Sequence, residues 1–262
     1  DAPATYDDLE REALRAVRTG GTAHGYVWQG RQYEGLVCNV YEAIWGHGGE
    51  AMREGRVLLD TPEARAALER LRGYLTRGVS PPSVTSQAEE ESRRAFQQGR
   101  TAFMRNWPYA IVEAEREGSP VRGKVAVSPL PTVSGAPGHG ALGGYLLAIN
   151  AHSPEYKRDA ATRIVAHMTS AEANVTFALV YGRNPPRRAP YEDPRLVAGA
   201  SVIAGLLPMV ERARPRPVTP YYSMVSDVLQ GELSAAIAGI RSPAETLRRA
   251  QAQVDRLTGA RP

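Results

Sequence analysis

The chain of 262 residues has a formal net charge of +4, with 42% hydrophobic and 23% charged residues, a balance that is ordinary for a globular protein. No apolar run approaches the roughly 20 residues that a membrane-spanning helix needs. Most arginines lie beside acidic residues in predicted helices, which favours solvated helix faces over a nucleic-acid-binding surface.

Helix-capping patterns predict helices along the whole chain. The expected starts are a Thr5 cap, Asp60 with Glu63, the acidic run 89–91, Ser153 before Pro154, Thr169 with Glu172, and Ser242 with Glu245. The corresponding helices run to about residues 18, 74, 98, 168, 182 and 259. In the last of them, one face carries the apolar residues Leu247, Ala250, Val254 and Leu257.

Short β-rich runs alternate with these helices and predict four strands. The strands are expected at residues 25–29, 101–105, 124–128 and 145–149. This alternation predicts an α/β fold. Pro108 has no N–H, so the second strand must end before it, which leaves Trp107 and Tyr109 at a strand exit.

A second stretch of interest opens on the glycine pair Gly143 and Gly144, followed directly by Tyr145. Glycines let the backbone approach a ligand where a Cβ would clash. Aromatic faces beside polar groups suit a sugar ring, which has C–H faces and a hydroxyl rim. The alternative interpretation of Trp107 is a packed core residue, because aromatic side chains at strand ends often fill space.

Patterns of enzymes and cofactor sites are weak in this sequence. The glycines of 138–143 match a dinucleotide-binding motif by letter, but a strand follows them where a helix is needed. The five histidines have no metal-ligand spacing, and no Gly-x-Ser-x-Gly motif is present. The single cysteine, Cys38, lies in an apolar run and is interpreted as a buried, inert thiol. We therefore expect no catalytic residue, no metal and no cofactor.

Several stretches in this order resemble the extracytoplasmic sugar-binding proteins of ABC importers, in particular the trehalose/maltose-binding branch. The stretches are residues 3–9, 25–36, 45–49, 96–110, 128–131, 142–150 and 214–222. Each is weak alone, and their order and spacing carry the resemblance over nearly the whole chain.

The resemblance implies a periplasmic-binding-protein-like fold of the maltose-binding-protein type, with two α/β lobes around a ligand cleft. On that map residues 1–131 belong to the second lobe, 132–189 to the first lobe, and 190–262 return to the second. The chain is then truncated at its N-terminus and lacks most of the first lobe. Residues 132–189 should consequently expose an apolar face unless a partner covers it.

The resemblance also implies roles for individual residues. Trp107 would stack on a glucose ring, and Tyr145 stands where the family often has tryptophan. An acid in the run 89–91, best matched by Glu89, would contact sugar hydroxyls, as would one of two arginines. The remaining candidate ligand residues are Asn106, Tyr109, Gly143, Gly144, Arg214 and Arg216, with Gln32 and Tyr33 as weaker ones.

The implied function is that of a sugar-binding protein of an ABC importer, not an enzyme. The ligand would be an α-linked disaccharide such as trehalose or maltose, and the partners would be membrane permease subunits and the missing N-terminal lobe, with no nucleic acid. The protein would be periplasmic or extracellular and anchored as a lipoprotein in its full-length form. Two alternatives remain: a carbohydrate-active enzyme and a non-binding scaffold fragment.

Overall fold

The computed structural model describes residues 2–260. The first residue of the predicted segment 1–131 and the last two of the predicted segment 190–262 therefore lie outside the described residues. The helices are α1 Tyr6–Arg18, α2 Glu34–Gly46, α3 Pro62–Thr76, α4 Glu89–Gln97, α5 Tyr109–Glu115, α6 Glu155–Met168, α7 Ala171–Tyr181, α8 Pro194–Gly199, α9 Ser201–Ala204, α10 Leu207–Glu211, α11 Tyr222–Ile237 and α12 Pro243–Thr258. The strands are β1 His24–Val27, β2 Met52–Arg53, β3 Arg56–Val57 and β4 Thr101–Met104.

Two strand pairs are present among these residues. Strands β1 and β4, which correspond to the first two predicted strands, pair in parallel, with His24 opposite Thr101 and Tyr26 opposite Phe103. Strands β2 and β3 form a short antiparallel hairpin. The parallel pair places the carboxyl ends of β1 and β4 at one edge, where Trp107 follows β4.

The other two predicted strands are wrong, since residues 124–128 and 145–149 have no strand structure. A strand needs a neighbour for its N–H and C=O groups, and neither run pairs with another strand within residues 2–260. The second run is instead exposed, with Tyr145 86% and Leu146 95% accessible. Local β propensity alone therefore did not decide its structure.

Helix starts agree with the sequence to within one or two residues. Thr5 caps α1 by accepting the Asp8 N–H at 3.0 Å, and Ser242 caps α12. Three caps were placed one residue too early, at Asp60, Ser153 and Thr169. The N-cap positions are occupied by Thr61, Pro154 and Ser170. At the first of these, Asp60 pairs with Arg65 and leaves the cap to the neighbouring threonine.

The described residues contain two apolar clusters. The larger one joins the β1–β4 pair to α2, α3, α11 and α12, and residues 35–46 of α2 are all buried. Its members include Cys38, so the prediction of a buried thiol is confirmed. A smaller cluster joins α5, α7 and the short helices α8 to α10.

Helix α6 and the stretch 142–150 stand apart from both clusters. No residue of α6 is buried. The exposed apolar side chains here are Leu142, Tyr145, Leu146, Leu147, Ile149, Tyr156, Ile164 and Met168. We call these eight side chains the exposed apolar surface.

Candidate functional site

The turn after β4 brings Trp107 to the first turn of α4. The indole Nε1 donates a hydrogen bond to Glu89 Oε1 at 3.1 Å. Asn106 ties the two together, because its Nδ2 donates to the Glu89 carbonyl at 3.0 Å and its Oδ1 accepts the Trp107 N–H at 2.8 Å. Three of the predicted site residues therefore form one hydrogen-bonded group, with the Trp107 ring half-buried.

The three successive glutamates at the start of α4 have different partners. Glu90 accepts from the Tyr109 hydroxyl at 2.8 Å and pairs with Arg93, whose hydrogen bond lowers the pKa of Glu90. Glu91 caps the helix by accepting the Ala88 N–H at 3.0 Å. Of the three, Glu89 is the one that accepts from the Trp107 indole, and its contact with a sugar stays a prediction.

The predicted glycine pair divides between two environments. A Cβ on Gly143 would lie 3.5 Å from Cζ3 of Trp107, so this backbone passes directly beside the indole. A Cβ on Gly144 would meet no heavy atom within 4 Å. The Tyr145 ring lies near Arg183, whose guanidinium is 5.2 Å from the centre of the Tyr145 ring and 6.0 Å from the centre of the Tyr109 ring.

Of the two predicted arginines, only Arg216 places its guanidinium in a polar cluster. It pairs with Glu34, donates to the Leu142 carbonyl at 3.3 Å, and lies 3.4 Å from Cys38 Sγ. Glu34 also accepts from the Tyr222 hydroxyl at 2.5 Å. Ser226 is a further donor to the same carboxylate.

Arg214 contributes its backbone to the fold. Its N–H donates to the Gly140 carbonyl at 2.9 Å, and its carbonyl accepts the Leu142 N–H at 2.7 Å. These bonds hold residues 140–142 against residue 214, in the segment that precedes α11. The Arg214 side chain itself is exposed.

A buried ion pair beneath Trp107 was missed from the sequence. Arg105 donates to Glu42 through Nε at 2.8 Å and through Nη2 at 2.6 Å, and the two side chains are 4% and 6% exposed. Burial disfavours the charge on Arg105, but Glu42 outweighs this effect, so the pKa of Arg105 lies above its ordinary value. The available signal was Glu42, the one charged residue in the largely apolar run 35–46.

Tyr33, one of the weaker predictions, lies close to the same group. Burial and the Glu89 carboxylate raise the pKa of Tyr33 above its ordinary value. Its hydroxyl is buried and has no hydrogen-bond partner among residues 2–260. Gln32 is exposed and makes no hydrogen bond within the same part of the chain.

Residues 2–260 form neither a metal site nor a membrane-spanning helix. No group of three or more His, Cys, Asp or Glu side chains there has a geometry that could hold a metal ion. No helix there has both the length and the apolar character needed to cross a membrane.

Comparison with known proteins connects this chain to binding proteins. A family model described as bacterial extracellular solute-binding protein matches residues 1–175. A Deinococcus radiodurans protein described as an ABC transporter-binding protein is 34% identical over 240 residues, which is 90% of this chain and 56% of that protein.

Among solved structures, maltose-bound T. maritima MalE3 is 38% identical and superposes with a TM-score of 0.93 over 98% of this chain and 66% of its own. A solute-binding protein from Agrobacterium radiobacter in complex with ribitol is 23% identical, with a TM-score of 0.87 over 98% of this chain and 65% of its own. The latter likeness concerns the fold alone.

These comparisons confirm the predicted fold class, which is the solute-binding fold of the maltose-binding-protein type. The chain spans 56% of the length of the Deinococcus relative and about two thirds of the MalE3 chain, at 66%. Because the family model covers more than half of the sequence, the chain belongs to the bacterial extracellular solute-binding proteins, which are binding proteins and not enzymes.

Proposed function

We propose that this chain is part of the substrate-binding component of an ABC importer, and that it binds an α-linked disaccharide of the maltose or trehalose type. The observation that carries this proposal is the group formed by Trp107, Glu89 and Asn106. It combines an aromatic face with a carboxylate and an amide within hydrogen-bond distance of one another. The similarity to the maltose-bound MalE3 structure supports the choice of sugar.

In the proposed binding mode, the sugar stacks on Trp107 through its C–H face. The Arg105 guanidinium lies 4.3 Å from the centre of that ring and covers one face, so the sugar would occupy the other. Glu89 would accept hydrogen bonds from hydroxyls at the sugar rim, since charge-assisted hydrogen bonds are stronger than neutral ones. The backbone at Gly143 lies against the indole edge and would follow the sugar closely.

Arg216 has a second proposed role at the same site. Its guanidinium is held by Glu34 beside the carbonyl of Leu142, the residue directly before the glycine pair. A sugar hydroxyl could share this guanidinium, which has five N–H donors. Tyr109, Gly144, Tyr145 and Arg214 would contribute around the rim.

We further propose that residues 1–131 and 190–262 form one lobe and that residues 132–189 belong to the other. The exposed apolar surface would pack against the remainder of that other lobe. Support comes from α6, which has no buried residue, and from the third of the MalE3 chain that has no counterpart here. Hinge closure of the two lobes over the sugar would present the protein to membrane permease subunits. We place the whole protein outside the cytoplasm, with a lipid anchor in its full-length form.

Isothermal titration calorimetry with maltose, trehalose and sucrose tests the proposal. It should be done on this chain and on a longer protein that carries the first lobe. We expect maltose or trehalose to bind the longer protein, and Trp107→Ala to weaken binding by roughly tenfold or more, as expected for the loss of a stacked aromatic. Tyr181→Ala, which removes an exposed aromatic from α7, is the matched control and should bind normally.

Two results would contradict the proposal. Absence of heat from every sugar with the longer protein would favour the scaffold alternative. Turnover of the disaccharide, lost on replacing one Glu or Asp, would favour the carbohydrate-active enzyme.

A further inference from the structure

We propose that Glu42 and Arg105 are positioning residues, which set the orientation of the Trp107 ring and the path of residues 141–143 together. Neither side chain is accessible enough to serve as the main ligand contact, at 6% and 4% exposure. The consequence for sugar binding rests on the proposed function, whereas the geometric claim does not.

The first step is that Arg105 has little freedom to rotate. Two of its nitrogens contact the Glu42 carboxylate, and its Nη1 donates to Gln29 Oε1 at 2.9 Å. Gln29 in turn donates through Nε2 to the Arg105 carbonyl at 2.9 Å. The planar guanidinium is thus fixed by partners on α2 and on the segment after β1.

The second step is that this fixed plane lies against the indole. The Arg105 Cζ is 4.3 Å from the centre of the Trp107 ring, which is within cation–π distance. The Nε1 edge of the indole is held by its hydrogen bond to Glu89. A face and an edge of the indole are therefore both constrained, which sets the ring plane.

The third step connects the returning chain to the same carboxylate. Glu42 Oε1 also accepts the buried Ala141 N–H at 2.9 Å. Two residues later, Gly143 runs beside the indole edge. One carboxylate oxygen thus contacts both the guanidinium under the ring and the chain segment beside it, although these lie far apart in sequence.

Stability alone is a weak reason to bury such a pair. Desolvation opposes burial of both charges, and well-packed hydrophobic residues often serve a core equally well. The pair does give a directional arrangement that apolar side chains would not, because it joins α2, the exit of β4 and residue 141. We infer that its role is to keep the gap between Trp107 and Gly143 constant.

The test follows the Trp107 environment directly. The chain has three tryptophans, so 5-fluorotryptophan labelling gives three ¹⁹F resonances, with Trp107→Phe assigning one of them. Arg105→Lys keeps the charge but loses the planar fork. We expect it to shift or broaden the Trp107 resonance while the resonances of the buried Trp28 and Trp45 stay in place.

Amide hydrogen exchange at Ala141 provides the second readout. The double variant Glu42→Leu with Arg105→Met avoids leaving one charge buried alone. It removes the acceptor of the Ala141 N–H, and we expect roughly tenfold faster exchange there, equivalent to a loss of about 1.4 kcal/mol of protection. The matched control is Arg56→Lys, which alters the ion pair of Arg56 with Asp255 at 2.7 Å on the hairpin and α12.

The outcomes separate positioning from simple stabilisation. An unchanged Trp107 resonance and unchanged Ala141 protection, in variants that are merely less resistant to urea, would overturn the proposal. Changes of equal size in Arg56→Lys would do the same. Neither readout needs a sugar, so failure of maltose binding in the parent protein would contradict the proposed function and leave this inference standing.

Discussion

At the residue scale, His47 lies at the C-terminal end of α2, between an aromatic ring and a guanidinium. Its ring stacks on Tyr6 with centroids 4.9 Å apart. Its Nδ1 lies 2.8 Å from the Ala43 carbonyl, and Arg70 Nε lies 3.4 Å from its Nε2. Nδ1 donating and Nε2 accepting are both possible only in the neutral tautomer. Burial lowers the pKa of His47, and the nearby Arg70 charge acts in the same direction.

This arrangement predicts an acid-sensitive contribution to stability. Because the pKa of His47 is lower in the folded than in the unfolded chain, the contribution is complete above about pH 6.5 and is lost as pH falls through the folded value. His47→Phe keeps the aromatic stack and removes the titration. In urea unfolding at pH 7.5 and pH 5, we expect a smaller loss of stability on acidification in the variant than in the parent.

The control for this prediction is His152→Phe, which changes an exposed histidine after the run 142–150. It should follow the pH profile of the parent. Identical profiles for the parent and His47→Phe would contradict the assignment of the acid sensitivity to His47.

At the scale of elements, two helices end on glycines with nearly the same backbone angles but different surroundings. Gly182 after α7 has φ of 62° and Gly259 after α12 has φ of 68°, both in the left-handed region. A Cβ on Gly182 would lie 2.6 Å from Val112 Cγ2, whereas on Gly259 it would meet no heavy atom within 4 Å. The pair therefore separates backbone strain from steric clash.

Alanine substitution at these two positions should have unequal effects. Gly259→Ala should lower the free energy of unfolding by about 1 kcal/mol, the usual cost of a left-handed residue with a Cβ. Gly182→Ala adds overpacking against α5 and should lower it by roughly 2 to 4 kcal/mol. Chemical denaturation of both variants measures the difference. Equal losses would show that the α7 end relaxes away from Val112.

The elements differ in how far the sequence predicts them. Helices α1 and α12 begin with local hydrogen bonds that the side chains of Thr5 and Ser242 accept from backbone N–H groups, so short-range patterns are sufficient. The run 145–149 has strand-like composition but no partner strand within residues 2–260. Strand structure depends on pairing that the local sequence does not encode.

The site shows the same distinction. Asn106 and Trp107 are neighbours in the turn between β4 and Pro108, so a short-range pattern is sufficient to bring them together. The contact between Trp107 and Gly143, and the pair of Glu42 with Arg105, join residues that are distant in sequence. No local pattern predicts such contacts, although Glu42 within the largely apolar helix α2 indicates a buried partner of opposite charge.

At the scale of the whole molecule, the exposed apolar surface is the feature with the largest consequence for behaviour in solution. Leu146 and Tyr145 are 95% and 86% exposed, and Ile164 of α6 is 58% exposed. Exposed apolar side chains concentrated in one segment of the chain favour association. The chain alone should therefore associate with itself more readily as its concentration rises.

Leu146→Asp should reduce that self-association, because a charge within an apolar contact must be desolvated. Sedimentation velocity over a concentration series measures it, and binding of a fluorescent apolar dye gives an independent readout. Ile240→Asp, in the turn after α11 where the side chain is 78% exposed, is the control and should leave association unchanged. Equal effects of both substitutions would point to net charge as the cause.

Cys38 gives the molecule a reporter of its own. It is the only cysteine, it is 1% exposed, and burial raises its pKa to about 11, so a thiol reagent should react with it very slowly in the closed arrangement. Arg216, in the segment that precedes α11, places its Nη1 3.4 Å from the Cys38 Sγ. Transient separation of residues 214–216 from α2 would uncover the thiol, so the labelling rate reports how readily this segment opens.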